Sequence, residues 1–83
     1  GSLYELSEKD ENQNVSLKSE TMFYDSEDNI IALPKEKLAV IQDLKGYIVA
    51  ESDNVLLICK RSDEQRIRQF VNDANFRYDG KYS

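Results

Sequence analysis

The stretch that decides the fold is DLKGYIVA, residues 43–50, because it repeats the pattern of DSEDNIIA, residues 25–32. The two stretches share Asp, Ile and Ala in register at an offset of 18. Apolar columns at a fixed spacing are typical of parallel coils that stack and bury their inward rows. At this spacing the predicted columns are Ile31 with Val49, then Met22, Val40 and Ile58, then Phe23, Ile41 and Cys59.

A period of 18 fits three faces of six residues, which is the geometry of a left-handed β-helix. A meander of evenly spaced hairpins fits the same pattern. A second match, EDNII (27–31) with SDNVL (52–56), has an offset of 25, and we interpret it as shared turn chemistry. The predicted fold class is therefore mainly β, a short left-handed parallel β-helix-like stack with about 18 residues per coil.

Short apolar runs rich in β-branched residues occupy the middle of the chain and predict strands. Asp, Asn, Gly and Pro separate these runs and predict turns. Residues 1–14 are polar and acidic and predict a linker, and residues 15–83 predict one β-helical domain with a C-terminal helix. The predicted strands are 15–18, 21–25, 29–33, 38–43, 47–51 and 54–60, and the predicted turns are 26–28, 34–37, 44–46 and 52–53.

The chain beyond the last strand predicts a helix over about 63–74. Ser62 is a good N-cap residue, and Gln65 three positions later completes a capping box. A single apolar stripe follows at helical spacing. We expect this stripe to cover the open end or side of the β stack and so close it. Its residues are Ile67, Phe70, Val71 and Ala74.

Composition excludes several classes of function. The 83 residues contain 16 acidic and 11 basic residues, so the net charge of −5 opposes binding to a phosphate backbone, and no nucleic-acid partner is predicted. The longest apolar runs have five residues, too short to cross a bilayer, and no signal-peptide pattern is visible at the start. We predict a cytoplasmic protein with no membrane partner.

The chain also lacks the usual chemistry of an active site. It has no histidine and one cysteine, Cys59, which lies inside an apolar run and is predicted to be a buried structural thiol. Three isolated glycines form no phosphate-binding loop. We predict no catalytic, cofactor-binding or metal-binding residue in this chain. The remaining candidate is an interaction surface made of Arg61, Arg66, Arg68 and Phe70.

Residues 40–71 carry a resemblance to a known family. AVIQDL (39–44) is an apolar strand, GYIVAESDNVLLICK (46–60) holds a Tyr-Ile-Val run and then Asp-x-x-Leu-Leu-Ile-Cys, and EQRIRQFV (64–71) is a short Gln-containing helix ending in Val. In this order they resemble the C-terminal end of bacterial, Bacteroides-like mannose-1-phosphate guanylyltransferases. The start, GSLYELSEKDEN, looks like the segment that follows the family's catalytic domain. One departure is Asp43 to Tyr47, where the family has Gly-Leu.

The resemblance implies a parent enzyme that makes GDP-mannose and pyrophosphate from GTP and mannose 1-phosphate, with Mg²⁺ as cofactor. The family's catalytic and metal-binding residues belong to an N-terminal nucleotidyltransferase domain, so none is carried over to these positions. The implied role of this chain is structural: it packs on that absent domain and supports a homo-oligomer. A free-standing module that binds an anionic ligand or peptide, and the same domain from a transferase for another sugar nucleotide, remain as alternatives.

Overall fold

The computed structural model describes residues 8–78, and these residues form two β-sheets followed by a helical segment. All six predicted strands are present, with ends that differ from the prediction by one residue at most. The elements in chain order are β1 (Val15–Leu17), β2 (Glu20–Tyr24), β3 (Ile30–Ala32), β4 (Leu38–Gln42), β5 (Tyr47–Ser52), β6 (Val55–Lys60), a 3₁₀ helix (Arg61–Arg66) and α1 (Ile67–Arg77).

The first five strands pair in parallel within their two sheets. One sheet has the order β1-β3-β5-β6, and the other consists of β2 and β4. Ile31 pairs with Val49 between β3 and β5, which confirms the predicted register. In the second sheet Met22 pairs with Val40 and Phe23 with Ile41 at the same spacing. A parallel bridge between Glu27 and Lys45 continues that spacing through the turns between the sheets.

Strand β6 departs from the predicted columns, because it runs antiparallel to β5. Ile58 pairs with Val49 and Cys59 with Ile48, so the prediction that these two residues extend the columns of the β2–β4 sheet is wrong. The reason lies in the two-residue connection between the strands. Asp53 and Asn54 both have positive φ, 51° and 66°, the signature of a tight hairpin turn that reverses the chain. A parallel return needs a much longer connection.

Left-handed backbone conformations recur at turn positions that are 18 residues apart. Asp25 and Asp43 have φ of 53° and 55°, and Asp28 and Gly46, which are related by the same offset, have φ of 60° and 72°. Asp is among the few residues with a side chain that visit this region routinely. A Cβ added at Gly46 would meet no atom within 4 Å, so the backbone conformation and not lack of space favours glycine there.

The hydrophobic core lies between the two sheets. Ile31 is fully buried, and Val49 beside it is 6% exposed. Leu33 and Ala39 complete the buried cluster, and Phe23, Ile41 and Leu44 pack partly buried against it. The core is small, and it is formed mainly by residues from the parallel strands.

A ladder of buried asparagine side chains joins the coils at one corner. Asn14 is 2% exposed and Asn29 is 0% exposed. The Asn14 Oδ1 atom accepts from the backbone N–H of Asn29 at 3.0 Å and from its Nδ2 at 3.0 Å. Asn29 in turn donates from Nδ2 to the Leu44 carbonyl at 2.6 Å and accepts from the Tyr47 N–H at 2.8 Å. The segments that precede β1, β3 and β5 are thus joined by side-chain amides.

The same ladder reaches into the segment predicted as a linker. The Asn14 side chain donates from Nδ2 to the Ser26 carbonyl at 2.9 Å and to a carboxylate oxygen of Asp10 at 3.2 Å. Residues 10–14 therefore form the first corner of the stack. The first seven residues of the predicted linker lie outside the described residues.

The helical segment differs from its prediction in start, end and capping. A 3₁₀ helix over Arg61–Arg66 precedes α1, and neither helix has a side-chain hydrogen bond at its N-cap, so the predicted Ser62 capping box is wrong. The backbone N–H of Arg61 donates to the Gly46 carbonyl at 2.8 Å and fixes the first turn against a coil corner. Asp63, inside the 3₁₀ segment, adopts a non-helical conformation (φ −107°, ψ 16°), which places a kink within that segment.

Helix α1 buries its apolar stripe in part. Ile67, Phe70 and Ala74 are partly buried, Val71 is 45% exposed, and no residue of α1 is fully buried. The closure of the β-sheets by this stripe stays a prediction. Within residues 8–78, no helix combines the length and the apolar character that a bilayer crossing requires.

Candidate interaction surface

One row of core residues continues from the interior of the stack into solvent. Ile31, Val49 and Ile58 are paired neighbours across β3, β5 and β6, so their side chains share one face of the sheet. Their exposed fractions are 0%, 6% and 57% along that row. The opposite sheet ends at β4, so β6 has no strand facing it in the described part of the chain. This end of the core is open.

Neighbouring residues and strand edges enlarge this open end. Leu56 lies two residues from Ile58 on the same face of β6 and is 58% exposed. Within residues 8–78, β6 pairs only with β5 and β4 pairs only with β2, so each strand has one unpaired edge. Exposed apolar side chains beside unpaired edges favour contact with another protein surface. We call Leu56, Ile58 and the free edges of β4 and β6 the open end.

A second apolar surface covers the outer face of the β2–β4 sheet. The cross-strand neighbours Met22 and Val40 are 45% and 60% exposed. The side chains of Tyr24 and Leu38 lie on the same face and are 49% and 61% exposed. Four large apolar residues on one small sheet exceed the scattered exposure that is normal for a protein surface.

The surface predicted from the arginines is only partly assembled. Arg66 lies over the ring of Phe70, 5.0 Å from its centroid, and its Nε donates to the Gln69 amide oxygen at 3.3 Å. Arg61 instead contacts a coil corner, where its Nη1 donates to the Asp28 carbonyl at 3.2 Å. Arg68 is exposed on α1. The structure therefore brings Arg66 and Phe70 together and places Arg61 at the coil corner.

Cys59 lies in β6 and is 8% exposed. Burial raises the pKa of its thiol, and the nearby carboxylates of Asp63 and Glu64 raise this pKa further. A raised pKa lowers the fraction of reactive thiolate near neutral pH. The thiol has the properties of a packing residue.

We expect Cys59 to react with iodoacetamide far more slowly in the native protein than in urea. The physical reason is that alkylation requires an exposed thiolate, and the fold removes both the exposure and the ionisation. Mass spectrometry of timed aliquots at neutral pH gives the two rates. Equal rates in buffer and in urea would show that Cys59 is accessible in the native fold.

The described residues hold no metal-ligand cluster, and one concavity lies on a single helix. Among residues 8–78, no three His, Cys, Asp or Glu side chains lie close enough together to hold a metal ion. A concavity of about 760 Å³ lies at the end of α1, and its walls come from residues 73–78 alone. A site for a small ligand normally draws polar groups from several elements onto one cavity. The exposed apolar side chains of the open end and of the β2–β4 sheet are the candidate interaction surfaces in the described part of the chain.

The features that sequence reasoning missed are the open end and the asparagine ladder. The open end follows from the reversal of β6. The turn that reverses the chain contains two residues with positive φ, and the sequence shows this turn only as an Asp-Asn pair. The ladder had a faint signal, because Asn14 and Asn29 each stand immediately before a β-branched residue that opens a strand. Asparagine at such a place is otherwise typical of a solvent-exposed turn.

Comparisons with known proteins give one structural likeness. No protein-family profile matches this chain. No curated protein sequence matches it either. A crystal structure of mannose-1-phosphate geranyltransferase from Thermus thermophilus superimposes with a TM-score of 0.68 and 16% sequence identity. The match covers 81% of this chain and 20% of that chain. At this identity the likeness shows the fold: the chain has the architecture of about one fifth of a longer transferase.

Proposed function

We propose that this chain is a non-catalytic structural module of a sugar-phosphate nucleotidyltransferase of the mannose-1-phosphate guanylyltransferase type. The parent enzyme makes GDP-mannose from GTP and mannose 1-phosphate in the cytoplasm. The module is a short left-handed parallel β-helix-like stack at the C-terminal end of that enzyme. It packs against the nucleotidyltransferase domain and supports a homo-oligomer.

The observation that carries this proposal is the open end. Ile58, at 57% exposure, prolongs a row of otherwise buried residues, as expected for a core completed by a second folded unit. The parallel pairing of β2 with β4 and of β3 with β5 in one common register supports the β-helical form. The likeness to one fifth of a protein named for mannose 1-phosphate supports the kind of parent.

The implied Mg²⁺ has no fitting site in this part of the protein. Residues 8–78 offer no group of three or more potential metal ligands, so the metal belongs to the parent's nucleotidyltransferase domain in this proposal. Asp25 and Asp43 lie at turns, where their backbones are left-handed.

The proposal is tested first by incubating the chain with GTP, mannose 1-phosphate and Mg²⁺. We expect no GDP-mannose by chromatography, because in this proposal the catalytic groups belong to the parent's nucleotidyltransferase domain. Product formation by this chain alone would contradict the proposal. The native gene upstream of residue 1 gives the second test, and a nucleotidyltransferase sequence with its Gly-rich nucleotide loop is the expected finding.

A calorimetric titration separates this role from the anion-binding alternative. The Arg66 and Phe70 pair and the exposed Arg68 are the groups that a nucleotide or sugar phosphate would contact. We expect no saturable heat with GTP, GDP-mannose or mannose 1-phosphate. Saturable binding that disappears in an Arg66→Ala, Arg68→Ala double variant would favour the binding module.

A further inference from the structure

We propose that the outer edge of β6 binds the same edge of a second copy of this chain, with the two β6 strands antiparallel about a two-fold axis. The two four-stranded sheets then form one continuous sheet. This inference rests on the oligomerising role proposed above and assigns that role to one part of the open end. The edge on the second copy is identical, as a two-fold contact requires.

The backbone of β6 presents hydrogen-bonding groups along this edge. The N–H of Arg61, directly after β6, donates to the carbonyl of Gly46, directly before β5, at 2.8 Å. In an antiparallel pair, residues whose backbone groups point to the neighbouring strand alternate with residues whose groups point away. The N–H and C=O groups of Leu56 and Ile58 therefore point away from β5. Within residues 8–78 no strand pairs with them on that side.

The side chains of β6 do not protect this edge. Edge strands in natural proteins commonly carry a charge, a proline or a bulge that prevents pairing with another chain. Val55–Cys59 is a run of five apolar residues, and its register with β5 has no bulge. Leu56 and Ile58 are 58% and 57% exposed. The edge thus combines outward-pointing backbone groups with exposed apolar side chains.

One register of the antiparallel pair matches both features. With the two-fold axis at Leu57, Leu56 lies opposite Ile58 of the second copy, and Ile58 lies opposite Leu56. The backbone groups of these residues face each other in this register, so each of the two pairs is joined by two hydrogen bonds. On the other face of the strand, Val55 lies opposite Cys59 of the second copy. Apolar residues therefore meet apolar residues along the whole of Val55–Cys59.

Neighbouring registers lose this match. An axis at Leu56 places Ile58 opposite Asn54 of the second copy. An axis at Ile58 places Leu56 opposite Lys60 of the second copy. An axis between two residues places outward-pointing backbone groups opposite inward-pointing ones, so the hydrogen bonds are lost. The axis at Leu57 is therefore the preferred register.

The residues that flank the paired segment bring no like charges together. Lys60 lies opposite Asn54 of the second copy, which is a neutral hydrogen-bond acceptor. The Lys60 residues of the two copies are about 20 Å apart along the strands. This separation exceeds the screening length of about 8 Å at physiological ionic strength, so their mutual repulsion is weak.

The edge of β4 fits a second copy less well. Its exposed residues Leu38 and Val40 lie opposite each other when the axis is at Ala39. The same register places Lys37 opposite Ile41 of the second copy, so a charge interrupts the apolar match next to the central pairs. The longer uncharged segment favours β6.

The size of the contact sets its strength. A contact between two short strands lies at or below the lower end of the area range for specific complexes. A reversible dimer with a dissociation constant on the order of 10 μM is expected for the isolated chain.

Amide hydrogen exchange followed by NMR tests the pairing residue by residue. The N–H groups of Leu56 and Ile58 are expected to exchange about fivefold more slowly at about 1 mM protein than at about 20 μM. The N–H of Leu57 points to β5 and is the internal control, expected to be protected at both concentrations. Equal protection of Leu56 and Ile58 at both concentrations would overturn the inference, because the edge would then be covered within the chain.

A charge exchange tests the register. Leu56→Glu and Ile58→Lys are each expected to weaken the homodimer by about 10-fold or more, because each places a charge opposite an apolar residue. In an equimolar mixture the new carboxylate at position 56 faces the new ammonium at position 58, and the other pair keeps its apolar residues. Sedimentation velocity is expected to show a dimer in the mixture. A mixture of two folded variants, verified by circular dichroism, that stays monomeric would overturn the register.

Val40→Lys is the matched control for an added charge on an exposed strand residue. Val40 is 60% exposed on the β2–β4 sheet, close to the 57% of Ile58. Its dimer is expected to keep the dissociation constant of the unmodified chain. If Val40→Lys is monomeric and Ile58→Lys remains dimeric, the β6 contact is overturned and the oligomerising role stands.

A further outcome separates this inference from the proposed function. If the unmodified chain is monomeric at every concentration, both the β6 contact and the oligomerising role fail. The catalytic assay and the upstream gene sequence still decide the nature of the parent enzyme in that event.

Discussion

Replacing Asn29 by Ala is expected to remove a large share of the stability of this fold. The substitution leaves the Tyr47 N–H without its acceptor and takes one donor each from the Leu44 carbonyl and the Asn14 side chain. Each buried polar group left unpaired costs about 1–3 kcal/mol. The loss of about 3 kcal/mol or more is large against the roughly 4–12 kcal/mol expected for a domain of this length. Urea unfolding followed by circular dichroism gives the free energy of unfolding.

Asn12→Ala is the matched control, because Asn12 is an exposed asparagine in the first corner and its contacts in the structure use backbone atoms. Its free energy of unfolding is expected to stay within about 0.5 kcal/mol of the unmodified chain. If the two substitutions have similar effects, the ladder does not hold the coils together.

Asn29→Asp probes the same position through pH. The carboxylate would face the Asn14 Oδ1 and Leu44 carbonyl acceptors, and burial would raise its pKa above the unfolded value of about 3.9. A raised pKa means that stability is retained below the unfolded pKa and lost as pH rises through the folded pKa. The stability difference from the unmodified chain, measured at each pH, is therefore expected to be smaller at pH 4 than at pH 7.

The second large effect is expected from Ile31→Ala. Ile31 is 0% exposed at the centre of the core, and truncating a buried isoleucine costs about 2–5 kcal/mol through lost burial and the cavity left behind. Ile58→Ala removes the same atoms from the same row of the sheet, where the side chain is 57% exposed. Its expected cost in the isolated chain is below about 1 kcal/mol. The same urea unfolding experiment measures both.

The difference between these two variants reports on the open end. Comparable losses for Ile31→Ala and Ile58→Ala in the monomeric chain would mean that Ile58 is covered within the chain itself. A small loss for Ile58→Ala in the isolated chain, together with a large loss in the complete parent enzyme, is the result expected of a surface completed by another domain.

Much of the fold could be predicted from local sequence signals. Runs of β-branched residues, separated by turn residues such as Gly46, predicted the six strands. The repeat of residues 25–32 at 43–50 predicted the parallel register of β3 and β5. These signals are local or strictly periodic, so a single sequence contains them. The predicted burial of Cys59 also follows from its apolar neighbours alone.

The features that were missed depend on backbone angles and on contacts between distant residues. The direction of β6 was decided by two positive φ angles at Asp53 and Asn54, which the sequence shows only as two polar residues. The 3₁₀ start of the helical segment follows from the contact of the Arg61 N–H with the Gly46 carbonyl, which lies on the far side of the β5–β6 hairpin in sequence. Local capping preferences contain no information about such a contact. In the structure the helical segment begins at Arg61, where this contact is made, and Ser62 does not cap it.

The reversed strand β6 also limits how such a protein can change its length during evolution. The parallel ladder through β1, β3 and β5 would otherwise accept another coil of the same length at its end. Because β6 turns back on β5, it occupies the edge where the next coil of that sheet would pair. A gene that gained a further repeat would therefore have to add it before residue 43, within the parallel strands or ahead of β1, and leave the hairpin of β5 and β6 unchanged.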